Sequence, residues 1–308
     1  MEWLVFALLG PVFWGMAAVI DKFLLDKMVK DSLSYSILME FLWVIFVVGV
    51  ILTKTVSFNL PFAALAMFAG MLGMSGYFLY CRAMSLEEAS RIMPLSHLTT
   101  IFTTAIAFLF LNEIFTGVQY LGILMAITGA ALLSYKKAKN KRAKKGTGGL
   151  PLSPALIFVI FQCILWACSD VIQKYVLFSI DYWSLFVWIA TGEIIVTVLV
   201  LTSGKVRKRV VDSLKSLESK RKFVVIALGS EVSGFISMIV WFIAISLGPV
   251  SLVSAVTAIG PLYVFGIMLL LSVFRPKILK EEISRSTVSL KLLGILMIFA
   301  GVWFVTAA

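Results

Sequence analysis

Ten blocks of about 20 predominantly apolar residues recur along this chain, separated by short stretches that concentrate charge, glycine and proline. Each block is long enough to cross the hydrocarbon core of a bilayer as a helix. The expected spans run from Trp3 to Leu24, Leu33 to Leu52, Phe62 to Met84, Ala89 to Leu111 and Val118 to Tyr135, then from Pro154 to Val176, Tyr182 to Leu201, Phe223 to Leu247, Val250 to Phe274 and Leu290 to Ala307. A transmembrane barrel would instead show short segments of alternating polarity. Charged residues make up only 14% of the chain, against roughly 25% in soluble domains. The expectation is an all-α membrane protein with ten transmembrane helices. Met1-Glu2-Trp3 lacks the basic start of a cleaved signal peptide, so the first span is expected to be retained.

The same composition disfavours several kinds of chemistry. The 3 cysteines, Cys81, Cys163 and Cys168, lie inside apolar runs and are odd in number, which argues against a disulfide framework. His97 is the 1 histidine, so no His-based metal site is expected, and no cofactor. A membrane-embedded enzyme is the weaker reading. No nucleophile motif, no pair of acids at metal or glycosidase spacing and no phosphate-cradling glycine loop is present.

Basic residues fix an orientation. Of the 27 Lys and Arg, 25 fall in the loops joining spans 1–2, 3–4, 5–6, 7–8 and 9–10 or at the adjoining helix ends, and the other side has only Lys54 and Lys174. The positive-inside rule places the basic loops in the cytoplasm and both termini outside, in a multi-pass protein of the cell membrane. The run from Lys136 to Lys145 then belongs to a basic cytoplasmic linker, residues 136–153, beside anionic lipid, and no nucleic-acid partner is expected. Residues 205–222 place Val206, Val210, Val211, Leu214 and Leu217 at helical spacing among Lys and Arg. That pattern predicts an amphipathic helix lying on the inner leaflet.

The two halves of the chain, 1–135 and 154–308, resemble each other. Trp14-Gly-Met-Ala-Ala-Val-Ile-Asp21-Lys22 matches Trp166-Ala-Cys-Ser-Asp170-Val-Ile-Gln173-Lys174, and Ala83-Met-Ser-Leu86 matches Ala244-Ile-Ser-Leu247. Leu121-Gly-Ile-Leu-Met125 recurs letter for letter from Leu293 to Met297, followed in each copy by Gly129 or Gly301. An odd number of spans per copy makes the second copy enter the membrane from the opposite side, and the loop charges agree. Two inverted five-helix repeats are the architecture of secondary transporters that work by alternating access.

The layout resembles the EamA-type branch of the drug/metabolite transporter superfamily, as does Leu111-Asn-Glu113-Ile-Phe-Thr116 followed by Gln119-Tyr-Leu-Gly122 and Gly129. Asn112 stands where that family usually has Gly, and Thr100 where it has the proline that Pro261 supplies in the second half. In the second half Glu281-Glu282-Ile283 precedes the last span. The resemblance implies a central cavity walled by spans 1–4 and 6–9, with spans 5 and 10 peripheral, and cargo among small metabolites, amino acids and drug-like amphiphiles, moved outward. A lipid or lipid-linked headgroup flippase is the alternative. The expected partners are a small-molecule substrate and membrane lipids, and a monomer is compatible with the sequence.

Ionisable groups inside a bilayer cost about 2.5 to 3.5 kcal/mol each even on lenient scales. Glu40, Glu193, Glu231 and Asp170 are the deep acids. Glu40 and Glu193 fall at nearly corresponding places in the two repeats, which makes them, with Glu231, candidates for proton coupling; a hydrogen-bonded structural role is the alternative. Gln162, Trp166, Asp170 and Lys174 are spaced by four and share one helix face. Trp14 lies about 18 Å below the outer end of its helix and Trp166 about 18 Å above the inner end of its own, so both reach the midplane, where tryptophan is not at home. The expected substrate-binding set is Trp14, Trp166, Asp170, Gln162, His97, Tyr80 and Trp241, with helix packing the alternative for each. Hydroxyls mark spans 4 (Ser96, Thr100, Thr103) and 9 (Ser251, Ser254, Thr257), while Arg82, Glu87, Glu88 and Arg91 read as a solvated hairpin cap or an inner gate.

Overall fold

The computed structural model describes residues 2–87, 89–133, 154–274 and 285–307, and every regular element among them is an α-helix. Three long helices open the chain: α1 (Glu2–Lys27), α2 (Ser32–Thr53) and α3 (Leu60–Leu86). Next come α4 (Ala89–Ser96), α5 (Thr99–Leu111) and α6 (Gly117–Leu133). The basic linker 136–153 lies outside the described residues. Beyond it are α7 (Pro154–Val176), α8 (Tyr182–Leu201), α9 (Gly204–Ser216), α10 (Lys220–Leu247), α11 (Val250–Thr257), α12 (Gly260–Phe274) and α13 (Arg285–Ala307). Six of these (α1, α2, α3, α7, α8 and α10) are each long and apolar enough to cross a membrane unaided. Phe41, Ile45, Phe110, Leu124, Leu296 and Trp303 stand exposed around the bundle. In water such a surface would be a liability; against lipid it is the expected exterior of a multi-pass protein.

Two of the ten expected spans are not continuous. The stretch read as Ala89 to Leu111 is divided at His97-Leu98 into α4 and α5, and that read as Val250 to Phe274 at Ala258-Ile259 into α11 and α12. Pro261 explains the second break: it has no N–H to give the carbonyl of Thr257, where α11 stops. The chain turns there through tighter bonds, Ala258 N–H to Ala255 O at 3.2 Å and Ile259 N–H to Val256 O at 3.2 Å. At the first break Thr100 occupies the corresponding place, and its N–H bonds to His97 O at 3.1 Å, one residue short of the helical partner. Hydroxyls meet the groups so released. Thr99 Oγ1 donates to Ser96 O at 2.7 Å, and Thr257 Oγ1 to Ser254 O at 2.7 Å. Broken helices at membrane depth are tolerated when the freed groups are paired inside protein in this way.

The amphipathic stretch 205–222 is shorter than expected. α9 ends at Ser216, Leu217 is extended, and Lys220 to Lys222 form the first turn of α10, because Ser219 caps that helix by accepting from Lys222 N–H at 3.3 Å. Val210 on the buried side of α9 and Leu217 just beyond its end belong to one packed cluster with Leu25, Val29 and Leu33. Arg209 pairs with Asp31, the N-cap of α2, which also accepts from Ser34 N–H at 3.1 Å. Partial burial pulls the Asp31 carboxyl upward, but the bonds from Ser34 and Arg209 outweigh it and hold the group below the usual carboxylate range. This staple therefore stabilises fully above the ordinary aspartate value and is lost as pH falls through the lowered one.

Helix pairs are drawn together where glycine leaves room, and the contacts recur in twos. A Cβ on Gly70 of α3 would lie 2.0 Å from Ile189 O of α8, and a Cβ on Gly192 of α8 would lie 1.9 Å from Met67 O of α3. The repeated glycines behave alike: across the α6–α13 pair, a Cβ on Gly122 would lie 2.7 Å from Gly301 O and one on Gly129 would lie 2.6 Å from Gly294 O. Backbones touching this closely supply the dispersion contacts that hold helices together where lipid removes the hydrophobic drive. Gly192→Ala is expected to lower stability by about 1–3 kcal/mol through overpacking. Gly49→Ala, with nothing within 4 Å, should be neutral or gain about 0.5–1 kcal/mol. Thermal unfolding in detergent separates the two, and equal melting temperatures would contradict the packing described.

Candidate functional site

A cavity of about 300 Å³ occupies the middle of the bundle. Its wall draws on α1, α2, α3, α4, α5, α7, α8, α10 and α11, while α6, α12 and α13 contribute no described lining residue. Five carboxylic acids face it: Asp21, Glu40, Asp170, Glu193 and Glu231. Among the described lining residues there is no lysine or arginine.

Of the residues singled out in the sequence, Trp14, Trp166, Asp170, His97, Tyr80, Trp241, Glu40, Glu193 and Glu231 all lie on this wall. Gln162 does not. It is fully buried behind the wall, where α7 passes α4, and accepts from Ser96 Oγ at 3.1 Å. The stripe on α7 thus leaves the cavity at both ends, because Lys174 at the other end donates to the carbonyls of Ile245 (2.6 Å) and Gly248 (3.0 Å), closing the C-terminus of α10. Lys22 does the same for α3 through Met84 O (2.8 Å) and Glu87 O (3.1 Å). A cation at a helix C-terminus meets both the orphan carbonyls and the negative end of the dipole. These two intramembrane lysines hold helices.

The aromatic side of the wall is a connected group. Trp14 and Trp166 lie 5.5 Å apart between ring centroids, Trp166 and Tyr80 5.6 Å, and Tyr80 and Tyr77 6.2 Å. Trp166 is anchored through Nε1–H to Gly73 O at 3.1 Å and leans on Gly76, where a Cβ would come within 2.5 Å of the indole. Opposite, Trp241 Nε1–H donates to Gln173 Oε1 at 3.0 Å, Gln173 Nε2 to Ser169 Oγ at 2.8 Å, and Ser169 Oγ to Ala69 O at 2.9 Å. His97 sits in the break between α4 and α5 and faces the other break, its Nε2 being 3.2 Å from where a Cβ on Gly260 would lie.

The acids are held differently. Asp21 Oδ1 accepts from Tyr35 O–H at 2.8 Å and also from Ser230 O–H. Glu40 is 7% exposed and its Oε1 has no hydrogen-bond partner. Glu193 Oε1 lies over Gly73, and the Trp43 indole N–H stands beside the Glu193 carboxyl without reaching hydrogen-bond geometry. Asp21, Ser169 and Gln173 are wall residues that the sequence argument did not select. The signal for Asp21 was present: it lies seven residues, two helical turns, beyond Trp14 and so shares its face. Of the expected hairpin cap, Glu88 and the side chain of Arg91 lie outside the described residues, as do Glu281 and Glu282.

Glu113 works outside the cavity. Asn112 adopts the left-handed conformation (φ 51°) at the end of α5, a conformation the short polar side chain tolerates, and this turns the next residue toward α11. The Glu113 carboxylate accepts from Val250 N–H (2.8 Å), Ser251 N–H (3.1 Å) and Ser251 Oγ (2.6 Å), capping the N-terminus of α11 from the loop that follows α5.

Residues 1–135 match the model of the EamA-like transporter family. That span is the first half of the chain as the internal repeat divides it, and the family is one of membrane transporters. No curated protein matches the chain. A solved crystal structure of another protein aligns over 99% of this chain and 96% of its own, with a TM-score of 0.62 at 16% identity, which shows a shared fold. Glu113→Ala removes three accepted bonds from a helix start, and a loss of roughly 1–2 kcal/mol is expected. Thermal unfolding checks it; a variant as stable as the parent would contradict the capping role.

Proposed function

We propose that the chain is a secondary transporter of the cell membrane, an exporter of small metabolites or drug-like amphiphiles, built as ten spans in two inverted five-helix repeats. On this reading the broken pairs α4–α5 and α11–α12 each count as one span, and α9 is a surface helix outside the count. The twofold recurrence of contacts supports it: Gly70 with Gly192, Lys22 with Lys174, and the two helix breaks facing each other. The charge of the loops places the basic side in the cytoplasm.

The observation that carries the proposal is the cavity itself. Five carboxylic acids converge on one cavity between the halves, and ionisable groups at that depth mark a solute or proton path. Trp14, Trp166, Asp170, His97, Tyr80 and Trp241 form the substrate wall. Glu40 and Glu193 exchange protons, with Glu231 beside them. A flippase for anionic headgroups fits less well, because the described wall offers no lysine or arginine to a phosphate. Glu193→Gln and Glu40→Gln keep shape and remove the titrating group. In proteoliposomes, each is expected to flatten the pH dependence of transport while leaving the melting temperature within a few degrees of the parent. An unchanged pH profile in both variants would contradict coupling through this pair.

A further inference from the structure

We infer that this cavity takes organic cations, an ammonium or related cationic nitrogen bearing aromatic or alkyl groups, and takes each in exchange for a proton held by its carboxyls. The inference rests on the transporter reading and gives it a substrate class.

Charge is the first ground. Five acids and no described lysine or arginine line the wall. A cargo with a free carboxylate would bring a further negative group to a place with nothing basic to receive it, and a zwitterion would leave that end unpaired at large cost. A cation meets only favourable partners. The second ground is the state of the individual acids. Asp21 is committed, with Tyr35 and Ser230 both donating to one of its oxygens. Glu40 is buried to more than nine-tenths, lines the cavity, and leaves Oε1 without a partner. A buried carboxylate left so is costly, and the field of a cation seated in the cavity beside it offsets that cost.

The rest of the wall suits the non-polar part of such a solute. The grouped rings of Trp14, Trp166 and Tyr80 offer faces to a cationic nitrogen. Met39, Met74, Met93 and Met238 supply soft surface that adapts to varied alkyl and aryl groups. A volume of about 300 Å³ lies at the small end of organic ligand pockets.

Exchange follows from charge balance. Facing Glu40 across the cavity are Asp21 on α1, Tyr77 and Tyr80 on α3, Asp170 on α7, Glu193 on α8 and Glu231 on α10, with His97 at the α4–α5 break. With so many acids in one low-dielectric space, the empty site keeps protons on its carboxyls. When a monovalent cation enters, one carboxyl O–H bond breaks, the proton leaves to water on the side to which the cavity is open, and the carboxylate pairs with the cation. The net charge of the cavity does not change.

The test uses the purified full-length protein in weakly buffered detergent. Phenyltrimethylammonium is titrated in, binding is read from tryptophan fluorescence and proton release from a pH dye. The expected result is saturable binding with about one proton released per cation and an affinity that rises about tenfold per pH unit where the site is protonated. The neutral isostere tert-butylbenzene and the anion benzoate are expected not to saturate, and Glu40→Gln or Asp170→Asn should reduce the released proton. No cation binding between about pH 5 and 9, binding without proton release, or equal binding of the neutral isostere would overturn the inference. Counterflow in proteoliposomes separates the two readings. Exchange of neutral solutes without cation binding would sink the cation class and leave a transporter; cation binding without movement of any solute would do the reverse.

Discussion

Inside a bilayer a polar group has no water to turn to, and that single constraint sorts almost every polar side chain in this protein. Some are used to join helices. Ser237 Oγ donates to Gly10 O and Ser230 Oγ to Ala17 O, tying α10 to α1, while Ser169 and Trp166 tie α7 to α3 through Ala69 O and Gly73 O. Lys22 and Lys174 close helix ends, and Glu113 opens one. Five acids turn instead to one cavity, and Glu40 among them keeps an oxygen unspent. Structure and site are therefore two outcomes of the same demand for partners.

Near-symmetry and its failures divide the labour. What recurs in both halves is mostly scaffold, in the glycine contacts and the lysine closures, and only the pair Trp14 and Trp166 carries the symmetry onto the cavity wall. What does not recur gives the cavity its character. Asp21 corresponds to Gln173 in the repeated motif, so one side presents a carboxyl gripped by Tyr35 and Ser230 and the other an amide linking Trp241 to Ser169. Asp170 has Ala18 as its counterpart. A near-symmetric frame can in this way hold a site that is chemically one-sided.

Much of this was legible in the sequence because lipid simplifies the code. Apolar length announced the helices, the cost of burying charge announced four of the five cavity acids, and mid-helix position announced Trp14 and Trp166. The sequence was silent where backbone replaces side chain. The break at His97-Leu98 carries no proline at the place that breaks α11 from α12, and its stability comes from Thr99 and neighbouring hydroxyls that also suit an unbroken helix. Four-residue spacing grouped Gln162 with Trp166 and Asp170, but it cannot tell which helix lies opposite each turn, and α4 lies opposite Gln162. Likewise Lys174 reads as part of a polar stripe, and only the meeting of α7 with the end of α10 reveals it as a cap.

Alternating access requires that one cavity be exposed to the two sides of the membrane in turn. Its most direct test is a single cysteine at Met238, a cavity residue on α10, in a background with Cys81, Cys163 and Cys168 replaced. Impermeant thiol reagents are applied from either side of oriented membranes, with and without an imposed pH gradient. The account expects labelling from both sides, with the gradient raising one rate as it lowers the other. Labelling confined to one side under every gradient, or rates from both sides that rise together, would contradict it.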